Sequence, residues 1–266
     1  MFQTPAERWI TSNAASQAPI LRRFDLSTTD IDMAGSGNPT YCSGNRPTFQ
    51  CRVVVFDLDG TLIDTVPDLA AAVDQTLLDL SLQPVGEARV RTWVGNGATK
   101  LMERALRHAA GESSVAVQQA LDLFFDHYGT ELWARSKLCP GVAETLPRLV
   151  TRGLHLAVCT NKPTRFVKPL LKHFGIDRFF PVFLGGDDLP VKKPDPSPLL
   201  HLAEQLGVSA VNCLVVGDSS NDVEAARAAG MAVAAVSYGY NYCENLGDCD
   251  PDVVVDTISE LLDLIV

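Results

Sequence analysis

Long hydrophobic runs are missing from this sequence, and so is any close pair of cysteines. No apolar stretch approaches the roughly 18 residues that a membrane-crossing helix needs, so a membrane is not an expected partner. The cysteines (Cys42, Cys51, Cys139, Cys159, Cys213, Cys243 and Cys249) are scattered with no Cys-x-x-Cys spacing, which argues against a zinc site. Cys159 and Cys213 fall in predicted strands and read as small buried hydrophobes of a reducing, cytoplasmic compartment. Positive charge is scarce: 22 Lys and Arg face 32 Asp and Glu, for a formal net charge of −10, and no basic stripe occurs. That balance excludes nucleic acid as an expected partner. It leaves an anionic substrate open, because a metal ion and a few lysines reverse the field locally. Residues 1–50 lack lasting periodicity and the apolar core of a secretory signal. Rich in Ser, Thr, Asn, Pro and Gly, they are expected to be a disordered extension, with a short helix near Ala6 to Ile10.

What is present is an ordinary globular composition, 46% hydrophobic and 20% charged, over 266 residues. From Arg52 onward, strand-like runs alternate with helical patterns. The expected strands are Arg52 to Phe56, Leu154 to Cys159, Val182 to Leu184, Cys213 to Val216, Ala232 to Val236 and Val253 to Val255. Helices are expected at Val142 to Arg152, Arg165 to Phe174, Pro198 to Leu206, Asp222 to Ala229 and Ile258 to Leu264. Such alternation predicts an α/β fold with a parallel sheet covered on both faces. Between Asp64 and Leu138 no convincing strand occurs. Helical spacing appears instead at Asp68 to Leu80, Glu87 to Trp93, Ala98 to Ala109 and Val115 to Tyr128. The expected division is a catalytic core of residues 51–65 and 139–266 and a helical cap of residues 66–138. Short connections near Asp64–Val66 and Ser136–Pro140 would join the two.

Four stations fall at or after strand ends, where open α/β sheets bind their ligands. They are Asp57-Leu58-Asp59-Gly60-Thr61, Thr160-Asn161-Lys162, Lys193-Pro194, and Gly217-Asp218-Ser219-Ser220-Asn221-Asp222. Taken singly, each has a plain alternative: an acidic turn, a helix cap, a solvated lysine, or capping aspartates. Taken together they describe one site. Asp57, Asp59 (through its backbone carbonyl) and Asp218 offer hard oxygen ligands suited to Mg²⁺, with Asp222 as outer support. A carboxylate can attack phosphorus and form an aspartyl-phosphate. Thr160, Lys193 and nearby backbone N–H groups would hold phosphate oxygens, with Gly60, Thr61, Asn161 and Lys162 as substrate-binding candidates. Asp59, two residues beyond Asp57, is placed to serve as acid and then base.

These motifs resemble the haloacid dehalogenase superfamily of phosphohydrolases over the whole segment from Val53 onward. The resemblance implies a Rossmann-like core, an α-helical cap between the first and second motifs, Asp57 as nucleophile and Asp59 as acid/base. Branches that cleave carbon–halogen or carbon–phosphorus bonds lack the second aspartate, so Asp59 implies phosphate-ester hydrolysis. Trp93-Val94-Gly95-Asn96-Gly97-Ala98, Arg104-Ala105-Leu106, Ser237-Tyr238-Gly239-Tyr240-Asn241 and Pro251-Asp252 are similar to the phosphoglycolate phosphatase branch. That implies 2-phosphoglycolate as substrate. The same motifs also serve phosphatases of sugar, amino-sugar and nucleotide phosphates, and sugar phosphomutases. Gly95, Asn96 and Gly97 form a tight turn opening a helix, where backbone donors can meet an anion. Lys100 or Arg104 would then meet the carboxylate of a small acid. Monomer and homodimer both remain open.

Overall fold

Val53–Phe56, buried throughout, forms β1, the strand around which everything else is arranged. The computed structural model describes residues 46–111, 116–240 and 246–266. Within them β1 is followed by β2 (Ile63–Asp64), then by α1 (Val66–Asp79), α2 (Glu87–Arg91), α3 (Ala98–Ala110) and α4 (Val117–Thr130). The chain returns through β3 (Lys137–Leu138) and then alternates: α5 (Val142–Thr151), β4 (His155–Cys159), α6 (Thr164–His173), β5 (Val182–Leu184) and α7 (Ser197–Gln205). It ends with β6 (Cys213–Gly217), α8 (Ser220–Ala229), β7 (Ala232–Val236), β8 (Val253–Val255) and α9 (Leu261–Leu264).

The main sheet is parallel, in the order β5-β4-β1-β6-β7-β8. Because strand side chains alternate, β1 feeds two cores. Val54 and Phe56 join the larger one, which runs on into the helical insertion, while Val53 and Val55 join a smaller one with Leu199 and Leu202 of α7 and Val223 of α8. The order places β4 and β6 on either side of β1, with Phe56 in register with Val158 and Val216. The carboxyl ends of these three strands therefore converge, and the strand order reverses there.

The insertion is α1 to α4, as the spacing predicts, although α2 stops at Arg91 rather than Trp93. Its two connections pair as an antiparallel ribbon, Ile63 with Leu138 and Asp64 with Lys137, which periodicity cannot reveal in strands of two residues. Asp68 fastens the ribbon. Its buried carboxylate accepts the backbone N–H groups of Arg135 (2.9 Å) and Ser136 (2.8 Å) and the Ser136 hydroxyl. The expected extension is also too long by several residues. Phe49 is buried and bridges Ile265, with its N–H donating to Leu264 O at 2.7 Å. An aromatic ring that closes one end of the core binds residues 46–50 to the C-terminus. The expected helix at Ala6 to Ile10, and Cys42, Val115, Asn241 and Cys243, lie outside the described residues. Cys51, Cys139, Cys159 and Cys213 are free thiols, and no described helix is long and apolar enough to cross a membrane.

Replacing Asp68 with Ala leaves the buried N–H and hydroxyl of Ser136, and the N–H of Arg135, without their acceptor. Urea unfolding should show a loss of about 2–4 kcal/mol; a change within about 0.5 kcal/mol would show that the ribbon holds without it.

Candidate active site

Asp57 follows β1 directly, and its N–H donates to Val216 O at 2.9 Å, which seats it between β1 and β6. Asp218 follows β6. Carboxylate oxygens of Asp57, Asp218 and Asp222 lie within 4.8 Å of one another, all buried. Close approach is enforced by glycine. Gly60 has φ +87°, and a Cβ there would stand 2.3 Å from Asp218 Oδ2; one on Gly239 would stand 2.0 Å from Asp218 Cβ. A side chain at either position would displace the carboxylate.

Three buried carboxylates cannot all carry charge without compensation. Burial, reinforced by Asp222 and Asp59, raises Asp57 to about 6 despite Lys193. Burial, then the charges of Asp57 and Asp222, push Asp218 well above the usual carboxylate range. Lys193 is the counter-ion. Its ammonium is 2.6 Å from Asp222 Oδ1, 3.0 Å from Asp57 Oδ1, and donates to Cys159 O at 2.6 Å. Burial opposes its charge, yet Asp222 and Asp57 together hold it above the ordinary lysine range. The Asp57 contact is one of charge, since Asp57 Oδ1 has no hydrogen-bond partner.

Asp222 differs from the other two. Its Oδ1 accepts from Lys193, and its Oδ2 accepts from the Ser219 hydroxyl (2.8 Å), Ser219 N (3.2 Å) and Asp218 N (3.3 Å). That is the capping box of α8, and both oxygens are occupied by donors. Ligand capacity is greater at Asp57, whose Oδ1 has no hydrogen-bond donor, and at Asp218, which carries one neutral donor on each oxygen where Asp222 carries an ammonium and three further donors. One cation among three acids, and an acceptor oxygen without a donor, fit a divalent ion.

Asp59 stands apart from this cluster. Lys162 Nζ meets its two oxygens at 3.0 and 3.2 Å, and Thr65 Oγ1 donates to it at 2.6 Å. Asp57, Asp59, Thr160, Asn161 and Lys162 form one wall of a cleft; Leu69, Val94, Leu101, Phe124 and Tyr128 of the insertion form the other. Asn161 clasps the two walls, its Nδ2 donating to Gly95 O and to Lys193 O, each at 2.9 Å. Asn96 Nδ2 likewise donates to Asn221 Oδ1 at 3.3 Å, so the Gly95-Asn96-Gly97 turn is docked on the core. Lys162 Nζ sits 4.6 Å from the centre of the Tyr128 ring, a cation–π contact across the same seam.

Two sequence expectations change here. Gly60 is not a donor in waiting: its N–H is spent on Ile63 O at 2.8 Å, and its service is the close approach to Asp218. Neither Lys100 nor Arg104 is among the residues lining the cleft. Lys100 is exposed and paired with Glu103 at 2.7 Å. Arg104 bonds Trp93 O and Asn96 Oδ1 (2.8 Å), bracing the turn from behind, because α3 points that face toward the turn's own carbonyls. Thr61 donates to Asp218 Oδ1 at 3.5 Å. Tyr128 was not nominated by any motif. Its ring stacks on Phe124, and its buried hydroxyl has no hydrogen-bond partner. Burial, then Asp59, raise its pKa well above the usual value, so the hydroxyl remains a donor. Asn161 Oδ1 is likewise buried without a partner. Of the buried unpartnered side-chain atoms among the described residues, those of Asp57, Tyr128 and Asn161 belong to this one cleft, with Thr145 Oγ1 elsewhere. Buried polar atoms are otherwise almost always satisfied, so their clustering points to a ligand.

The sequence profile of the haloacid dehalogenase-like hydrolases matches residues 51–230. The chain belongs to that family. It is 48% identical over 215 residues to the phosphoglycolate phosphatase of Pectobacterium atrosepticum, spanning 80% of this chain and 92% of that one. Against the phosphoglycolate phosphatase of Escherichia coli K12 it is 45% identical over 229 residues, spanning 79% and 91%. The crystal structure of a predicted phosphoglycolate phosphatase from Haemophilus somnus 129PT superposes with a TM-score of 0.78 at 41% identity, over 80% of this chain and 97% of that one.

Changing Tyr128 to Phe in this hydrolase removes a hydroxyl whose desolvation, about 1–3 kcal/mol, nothing in the fold offsets. Its urea midpoint without ligand should be no lower than that of the parent protein, and a clear fall would reveal a hidden partner.

Proposed function

We propose that this hydrolase cleaves small phosphate monoesters, with 2-phosphoglycolate yielding glycolate and phosphate as its main reaction. The observation that carries the reading is the convergence of Asp57, Asp218 and Asp222 at one sheet edge, beneath a cleft that holds Asp59. Likeness to curated phosphoglycolate phosphatases over most of the chain supports the choice of ester.

In this reading a core of residues 51–65 and 139–266 carries the chemistry and a cap of residues 66–138 covers it. Asp57 attacks phosphorus in line with the leaving oxygen and becomes an aspartyl-phosphate. Asp59 gives its proton to the departing alkoxide, then takes one from the water that attacks the acyl phosphate. Lys162, on the Asp59 carboxylate, and Thr65 hold that side chain in place for both transfers. Thr160 and Lys193 hold the non-bridging oxygens, and Lys193 also keeps Asp57 from facing Asp222 unscreened. Asp57, Asp218 and the Asp59 carbonyl would hold Mg²⁺, with Asp222 anchoring the loop behind them. When bound, the ion supplies charge neutralisation at the phosphoryl oxygens. A docked cap excludes bulk water, admitting it for the second half of the reaction. The carboxylate of a small acid would be met by Lys162, which lines the cleft while Lys100 and Arg104 do not.

Replacing Asp57 with Asn should lower phosphate release by about 10⁴-fold or more, measured by inorganic phosphate assay with the fold checked by circular dichroism; retained turnover would remove Asp57 as nucleophile. EDTA should abolish activity and added Mg²⁺ restore it. Across a panel of esters, kcat/KM should be highest for 2-phosphoglycolate, and a preference for hexose phosphates would overturn the choice of substrate.

A further inference from the structure

Tyr240 is buried and has no part in the chemistry above, yet it touches both the insertion and the acidic cluster. Its hydroxyl accepts the backbone N–H groups of Thr65 (2.9 Å) and Val66 (3.3 Å) and donates to the Asp64 carboxylate. Two lone pairs and one proton are thereby all used. Thr65 and Val66 open α1, the first helix of the insertion, and the Thr65 side chain does not cap that helix because it is turned to Asp59. Tyr240 supplies the missing acceptor from across the junction. Asp64 also lies 3.3 Å from an Arg91 guanidinium nitrogen of α2, and the Arg91 guanidinium sits 5.2 Å from the centre of the Tyr240 ring. At its other end, the Tyr240 backbone N–H donates to Asp218 Oδ2 at 2.5 Å. Burial, and then Asp64, raise the phenol above its ordinary range, so it keeps the proton it donates.

We propose that Tyr240 is a positioning residue that links the seating of the helical insertion to the Asp218 carboxylate. Its hydroxyl sets the angle at which α1 and α2 leave the core, and its amide fixes the oxygen cluster that the closed cleft must face. The kinetic part of this inference rests on the reading of the cleft as the site of a small phosphate ester; the structural part does not.

Tyr240→Phe isolates the hydroxyl, because the ring and the amide on Asp218 both remain. Amide hydrogen exchange at Thr65 and Val66 should accelerate about tenfold or more, with exchange in β1 and β6 unchanged. The kcat/KM for 2-phosphoglycolate should fall about tenfold, chiefly through KM, while the Mg²⁺ concentration for half-activation stays the same. A residue that merely stabilised the fold would lower the melting temperature and leave KM alone. Asp64→Ala, which removes the acceptor that orients the phenol, should move KM in the same direction, and the double variant should lose less than the sum of the two single losses. Wild-type exchange rates at Thr65 and Val66, or fully additive losses in the double variant, would overturn the proposal. If the parent protein hydrolysed no ester, the functional reading would fall, and the exchange measurement would still decide the structural role of Tyr240.

Discussion

The ammonium of Lys193 is the charge on which the carboxyl end of the sheet depends. It is buried between Asp57 and Asp222 and reaches Cys159 O on β4, so one group ties the ends of β1 and β4 to the first turn of α8. Without it, three carboxylates would share a space in which none could stay ionised at modest cost. With it, acidic groups still outnumber the one base among them, a surplus that a bound cation would offset. The fold therefore carries an unfavourable cluster that the packed strands beneath it hold in place.

The insertion shows the same logic in polar form. Its wall of Leu101, Phe124 and Tyr128 is apolar, so only a few bonds decide how it sits: Asn161 to Gly95, Asn96 to Asn221, and the bonds around Asp64 and Asp68. These directional bonds fix the register of the insertion, while the larger apolar core that runs on into it supplies the bulk of its packing.

The parallel sheet was legible because its strands are short apolar runs bounded by turn residues, and each one proposed from the sequence is present in the structure. The helical insertion was legible from its lack of strands and its 3.6-residue spacing. Other features had no pattern to give them away. β2 and β3 are two residues long, Phe49 is a single aromatic after a polar segment, and α2 ends at a tight turn rather than at a marked stop. Within the site, the sequence placed Asp57, Thr160 and Asp218 after strand ends and Lys193 in the loop between the third strand and its helix, and the structure gathers them at the carboxyl ends of β1, β4 and β6. The direction of individual side chains was beyond it. Asp59 turning to Lys162 and Arg104 turning back on its own loop are decided by tertiary neighbours, not by spacing. The Tyr240 hydroxyl and the Asp68 carboxylate act through partners 67 or more residues away, and the Tyr128 hydroxyl through the lack of one, and no local motif encodes that.

The two-residue ribbon of β2 and β3 has a wider implication. Because the strands are hydrogen-bonded neighbours, the chain leaves the core and re-enters it at points about 5 Å apart. A segment with such closely spaced ends can be lengthened, shortened or exchanged with little strain on its host. New specificities can thus be grafted above an unaltered reaction centre, and a hydrolase of this architecture could change its substrate by swapping its roof while leaving its foundation alone.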